Sequence, residues 1–428
     1  MTFLPEPLRI PAFRAFWLAR LTATIAQMAM VIVIGWQVYD IARDPHGLNM
    51  GLKEASFQLG LIGIVQFVPL FALTLVTGWT ADRLDRRWIA RGAVLLELLC
   101  AAALALLAWQ DAMTLYALFT IAALLGVARA FAGPSLGALA PNLVPREILP
   151  KAIALSSIAW QSGSIAGPAL GGYLYAASPV APYAASVALF AIALAGLFAI
   201  PPVARSTLAK GPNPWRQMVE GLHYVRHNRL VLGAISLDLF AVLLGGATAM
   251  LPVFARDILH AGPEGLGHLR AAPAVGATLT AAWFAFQPLK TNVGVKMLIA
   301  VAVFGTATVV FGLSRSMWLS LACLALLGSA DMFSVYVRQS LIQLHTPDAM
   351  RGRVSAVSGL FISASNELGE AESGFLAALI GPVTAVIAGG VGAVAVVAIW
   401  AWKFPELRLA RSFDPPDLDD PQPMESPR

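Results

Sequence analysis

The chain has 428 residues, 58% of them hydrophobic and 12% charged, with a formal net charge of +5. Soluble domains carry roughly a quarter charged residues, so this composition excludes a water-soluble globular protein and indicates a polytopic membrane protein. The basic excess reads as loop topology and contact with lipid headgroups, and it implies no nucleic-acid partner.

Twelve apolar stretches are predicted as membrane helices, at approximately 14–40, 56–79, 89–108, 113–139, 152–176, 183–202, 229–253, 267–287, 296–313, 317–343, 354–378 and 383–402. The first follows Arg14 and is too long for a signal core, so it is expected to be retained. An even number of crossings leaves both termini on one face. Most of the 29 Lys and Arg residues fall there, which the positive-inside rule makes the cytoplasm. The expected division is a six-helix bundle over 1–202, a cytoplasmic linker over 203–228, a second six-helix bundle over 229–403 and a disordered cytoplasmic tail over 404–428.

The loop after span 2 alternates acid and base through Gly78, Asp82, Arg83, Asp85, Arg86 and Arg87. Span 4 carries Arg129 and Gly133. Span 5 contains Gly163, Gly167 and Gly171 on one helical face, with Pro168 and Gly172 beside them. Such glycines admit a second helix very closely, and the proline bends the segment. The pattern repeats along the chain: Leu124-Leu125-Gly126 returns as Leu326-Leu327-Gly328, Phe131 as Phe333, Gly167 as Gly369 and Gly172 as Gly374. Two related halves of a membrane chain imply a pair of bundles about a pseudo-twofold axis, with a site between them.

These elements together resemble the major facilitator superfamily, whose span 2 loop, span 4 Arg-x-x-x-Gly and span 5 Gly-x-x-x-Gly-Pro-x-x-Gly-Gly they match. The resemblance implies an all-α fold of twelve transmembrane helices in two pseudo-symmetric bundles, and the span 5 element marks exporters and antiporters. It also implies gating roles for Gly78, Asp82, Arg83, Arg86 and Arg87. After span 8, Gln287 to Asn292 lacks the second copy of the acidic-basic loop.

Between the halves, Trp215, Met218, Val219, Leu222 and Val225 follow helical spacing, opposed by Arg216, Glu220, His223 and Arg226. This predicts an amphipathic helix on the inner membrane surface. Trp36 to Asp40, Gly221 to Arg226 and Asp331 to Val354 resemble the enterobactin-exporter-like branch of the superfamily. That branch implies proton-driven export of a small organic molecule across the bacterial inner membrane. The alternatives are a multidrug or macrolide-type efflux pump of the same fold, an importer, or a receptor or scaffold that has lost transport.

Charges inside the spans are costly against lipid and so mark mechanism. They are Arg20, Glu97, Arg129, Asp238, Asp331, Arg338, Glu367, Glu370 and Glu372. The repeat maps Arg129 onto Asp331 and brings Arg20 near the position of Asp238. These pairs are expected to meet across the axis, Arg129 with Asp331 at mid-depth, and Arg20, Asp238 and Arg338 nearer the cytoplasm. Ion pairs of this kind can simply lock the halves together, or break and re-form as a gate.

Span 11 gathers Gly359, Ser363, Asn366, Glu367, Glu370 and Gly374 on one side, with Glu372 opposite. Glu370 and Glu367 are the first choices for proton coupling, with Asp331 and Asp238 behind them. Gln161, Ser164 and Asn366 are the expected substrate contacts, with Arg129, Phe131 and Tyr336. No phosphate-binding Gly-x-x-x-x-Gly-Lys loop or His-Glu-x-x-His is present, which disfavours direct ATP coupling and a zinc enzyme; no cofactor or metal is expected. All six histidines are expected in loops or the linker. The expected partners are a small-molecule substrate, protons and membrane lipid, with a monomeric chain.

Overall fold

A backbone inside hydrocarbon must satisfy its own hydrogen bonds, so each long apolar stretch folds as a helix. The computed structural model describes residues 5–83, 85–202, 214–287, 289 and 291–413. The first lobe contains α1 (Pro11–Arg43), α2 (Leu52–Arg83), α3 (Arg86–Trp109), α4 (Leu115–Leu139), α5 (Leu149–Ala177) and α6 (Ala181–Phe198). After it come the short α7 (Pro214–His227), then α8 (Arg229–Leu244) and α9 (Leu251–Val253). The second lobe continues with α10 (Gly262–Phe286), α11 (Val293–Leu313), α12 (Met317–Leu344), α13 (Asp348–Ile380), α14 (Pro382–Lys403) and α15 (Pro405–Leu409).

Among the described residues, nine helical segments are long and apolar enough to cross a membrane. Three further helices of similar length, α5, α10 and α13, carry more polar sequence. Each of the three meets the opposite lobe: α5 packs on α10, and α13 packs on α2. Span 7 is one crossing broken in the middle. Gly245 and Gly246 end α8, a 3₁₀ turn follows over Ala247–Met250, and a π turn over Phe254–Ile258 closes it.

Polar caps fix several helix starts. The Asp85 side chain accepts from the Arg87 amide, Thr114 from Ala117 and Asn228 from Val231. Glycine sets the spacing between helices. A Cβ on Gly163 would lie 2.7 Å from Thr24, and one on Gly167 would lie 2.6 Å from the Met28 side chain, so the span 5 glycines are where α1 seats inside the first lobe. Gly172 faces the other way, towards Gly267 on α10. On α2, Gly60 and Gly63 sit against α13, whose Ala371 and Glu367 carbonyls leave no room for a side chain.

An even number of crossings puts the N-terminus and α7 on the same side, here called the linker side; the other is the far side. Helix α7 lies on α13, with Gly221 against the Arg353 carbonyl and Val225 buried. Trp215, Val219 and Leu222 remain exposed on the protein surface, and Glu220, half-buried, pairs with Arg353 at 2.9 Å. Residues 203–213 of the expected linker, and 414–428 of the expected tail, lie outside the described residues. The start of that tail is packed: Phe404 and Leu407 are buried against Gly233 of α8.

Candidate functional site

A chain of charged side chains crosses the junction of the lobes. Arg129 on α4 donates to the Gln66 side-chain oxygen on α2 at 2.8 Å and pairs with Glu367 on α13 at 2.9 Å. One turn further along α13, Glu370 meets Arg270 of α10 at 3.3 Å. Glu367 is 6% exposed, so its charge is sustained by its guanidinium partner. Gln66, Arg270 and Glu370 share a cavity of about 50 Å³ with apolar residues of both lobes, among them Ile32, Leu59 and Leu266. On the first-lobe side, Gln27 of α1 donates to buried Glu97 of α3 at 3.4 Å.

Local sequence explains this gathering. Gly60 and Gly63 let α2 approach α13 backbone to backbone, which delivers Glu367 to the Arg129 side chain. Arg129 therefore meets Glu367 and not Asp331, the partner expected from the repeat. Asp331 is on α12, which packs against α10 and α11 in its own lobe. There it lines a small cavity with Asp238, Ser334 and Phe304. Asp238 pairs with Arg338 in the same lobe, and the two side chains are 8% and 2% exposed. This occupies the carboxylate expected to meet Arg20, whose buried Nε has no hydrogen-bond partner among the described residues.

The remaining candidates are distributed more widely. Gln161 donates to the Ala274 carbonyl at 2.9 Å, tying α5 to α10 across the lobes. Ser164 donates back to the Trp160 carbonyl, and Asn366 is exposed. Phe131 is half-buried on α4. Tyr336 stacks on Phe284 with centroids 4.3 Å apart, inside the second lobe. Arg87 bonds Asp85 at 2.6 Å and the Ile200 carbonyl at 3.3 Å, which anchors α3 to the end of α6; Arg86 is half-buried. The packing of Gly78 and the side chains of Asp82 and Arg83 lie outside the described residues.

The far side carries a second set of contacts. Asp40 of α1 pairs with Arg256, while Arg43 of α1 pairs with Asp257 at 3.4 Å, so each lobe contributes one acid and one base. The Tyr39 hydroxyl also donates to Asp257. Nearby, Tyr173 of α5 hydrogen-bonds His268 of α10 at 2.8 Å, and Lys53 of α2 donates to the Leu379 carbonyl of α13 at 2.7 Å. His268 is thus inside a long helix, contrary to the expectation that every histidine lies in a loop or the linker. On the linker side the ion pairs Lys151–Glu6 and Arg229–Glu406 each stay within one lobe. The described polar contacts between lobes therefore cluster at mid-depth and on the far side.

Sequence reasoning missed Arg270 and Gln66. Both announce themselves in the same way, as a cation and an amide within apolar stretches. The Arg256–Asp257 pair was also missed, because it lies in the turn after span 7 and acquires meaning only opposite Asp40 and Arg43.

The sequence profile of the transmembrane secretion effector family matches residues 4–422. The enterobactin exporter EntS of Citrobacter koseri is 26% identical over 418 residues, covering 97% of this chain and 96% of that protein. Among solved structures, a bacterial homologue of the human lysosomal transporter Spinster, inward-facing and occupied, aligns with a TM-score of 0.70 at 14% identity, covering 95% of this chain and 99% of that one. A bacterial homologue of the iron transporter ferroportin in an inward-facing state aligns at 0.68 with 15% identity, covering 95% and 100%.

Proposed function

The chain belongs to the transmembrane secretion effector family of the major facilitator superfamily, and from that premise we propose that it is a proton-coupled exporter of a small organic molecule. In this reading both termini are cytoplasmic, the linker side faces the cytoplasm, and the molecule leaves through the far side of the bacterial inner membrane. The observation that carries it is the pair Arg129–Glu367, a buried carboxylate whose cation belongs to the opposite lobe.

When the lobes tip apart on the far side, α2 and α13 separate and Glu367 loses Arg129. A carboxylate without its cation in a dry interior is expensive, so a proton drawn from the newly opened side neutralises it. Tipping back restores the ion pair and discharges the proton on the cytoplasmic side. Glu370 with Arg270 stands one turn away to share the charge. Asp238 and Asp331 are assigned a supporting role, because their cavity lies within one lobe. Substrate is assigned to the surface between the lobes beside Gln161, Ser164 and Asn366, with Phe131 as an aromatic wall. The span 2 loop residues Gly78, Asp82 and Arg83 are assigned to gating, as the family resemblance implies.

The similarity to enterobactin exporters favours a catechol-type siderophore over a cationic drug. The test uses inverted vesicles loaded with a pH dye and energised so that the lumen is acid. A catechol siderophore should evoke proton release from the lumen, and Glu367→Gln should remove that response. A response to cationic drugs alone would move the substrate class to drug efflux. Transport of either substrate without proton movement would remove the coupling from the proposal.

A further inference from the structure

The transport reading uses the surface between the lobes, but the second lobe also has a cavity of about 550 Å³ between α10, α11 and α12. Its walls include Trp283, Phe284, Ile299, Val303, Leu326 and Phe333. Trp283 is 60% exposed, and Ile299 and Leu326 are exposed beside it, so the groove opens sideways to the hydrocarbon that surrounds a membrane helix. Its polar groups are unevenly placed. Gln287 follows the last residue of α10 and Lys296 stands in the first turn of α11, both at the linker-side end. Ser329, further in, is satisfied by a hydrogen bond with Thr280 at 2.5 Å.

Among the described residues no carboxylate lines the groove and Lys296 forms no ion pair. The first turn of α11 has no acidic residue either. An apolar slot with the Lys296 ammonium at its membrane-surface end, flanked by a tryptophan at interface depth, complements a molecule with a long hydrocarbon chain and an anionic head. We propose that this groove binds an anionic phospholipid of the linker-side leaflet, with an acyl chain between α10 and α12 and its phosphate on the Lys296 ammonium beside the Gln287 amide. The site is independent of what the protein transports.

The test uses the full chain in nanodiscs containing phosphatidylglycerol or phosphatidylcholine with brominated acyl chains. The difference between wild type and Trp283→Phe isolates the quenching of Trp283. Half-maximal quenching should need about fivefold less phosphatidylglycerol than phosphatidylcholine, the effect of one basic side chain near a headgroup. Lys296→Gln should abolish that preference and Lys296→Arg should keep it, with both variants remaining monodisperse. Equal quenching by the two lipids in wild type, or a preference that survives Lys296→Gln, would reduce the groove to ordinary boundary lipid and overturn the proposal.

Discussion

Arg129 on α4 and Glu367 on α13 form a 2.9 Å ion pair between the two lobes, at the place where Gly63 of α2 touches the Glu367 carbonyl. Close backbone packing and a charge contact thus occupy the same position, so separating the helices and breaking the pair are one event. An alternating-access cycle needs such an element, because a ligand shifts an equilibrium only through contacts that differ between its two states.

The pair should behave as a coupled unit. Arg129→Ala leaves a buried carboxylate without its cation and should destabilise the protein by about 3 kcal/mol. Adding Glu367→Gln removes the orphaned charge and should recover most of that loss. Thermal unfolding in detergent of the two single variants and the double variant measures the interaction. Strict additivity would show that the two side chains do not sustain each other.

Glu370 is less buried than Glu367, and its cation, Arg270, belongs to its own lobe. Glu370→Gln should therefore leave the junction of the lobes intact and abolish substrate-evoked proton movement, with substrate affinity changed less than about threefold. Equilibrium binding alongside the vesicle pH assay separates the two effects. Undiminished proton movement would transfer the carrier role wholly to Glu367.

The lobes, the crossings and the acidic stripe of α13 were legible in the sequence, because hydrocarbon imposes length and apolarity on each span and penalises every charge it contains. Partner choice was not. The repeat relates Arg129 to Asp331 as equivalent positions, but equivalence does not make two side chains neighbours. Arg129 reaches α13 because two small residues on a third helix, Gly60 and Gly63, remove the space between α2 and α13. Asp331 stays in its own lobe because α12 is held by α10 and α11. The partners Arg43, Arg256 and Asp257 escaped notice because charges at the ends of spans acquire meaning only when the lobes face each other.

Those far-side pairs are reciprocal, which permits a charge-swap test. Asp40→Arg should place like charges opposite each other, weaken closure of the far side and slow transport. Combining it with Arg256→Asp should restore the rate. These side chains are partly exposed, so each pair is worth only about 0.5–1 kcal/mol, and the readout is turnover in vesicles with expression as a control. A double variant as slow as the single one would separate this contact from the gate.

Asp85 connects the span 2 loop to pH. The Arg87 guanidinium and amide, both donating to its carboxylate, hold it below the ordinary carboxyl value of 3.8. A depressed folded value means that the stabilisation is complete above the unfolded value and drains away as pH falls through the lower, folded one. Asp85→Asn should therefore lower the unfolding temperature at neutral pH, and the gap to wild type should close as the pH falls below the ordinary carboxyl value of 3.8. A gap that is constant with pH would assign the effect to the helix cap and not to the charge.

The glycines separate packing within a lobe from packing between lobes. A Cβ on Gly167 would press on Met28 of α1 inside the first lobe, whereas a Cβ on Gly63 would lie 2.8 Å from the Glu367 carbonyl of the other lobe. Both clashes are with atoms that a helix backbone holds in place, Met28 Cβ and the Ile25 carbonyl in the first case and the Glu367 carbonyl in the second; the first is relieved by shifting α1 within its own lobe, the second only by moving the lobes. Gly167→Ala should cost about 1–3 kcal/mol of stability with transport per folded molecule retained. Gly63→Ala should leave each lobe folded and shift the protein away from far-side closure, slowing turnover and raising far-side labelling of a cysteine placed at Leu59, which is buried in the cavity between the lobes. Equal loss of thermal stability in both variants, with no change in labelling, would show that the α2–α13 contact is ordinary packing and does not move during the cycle.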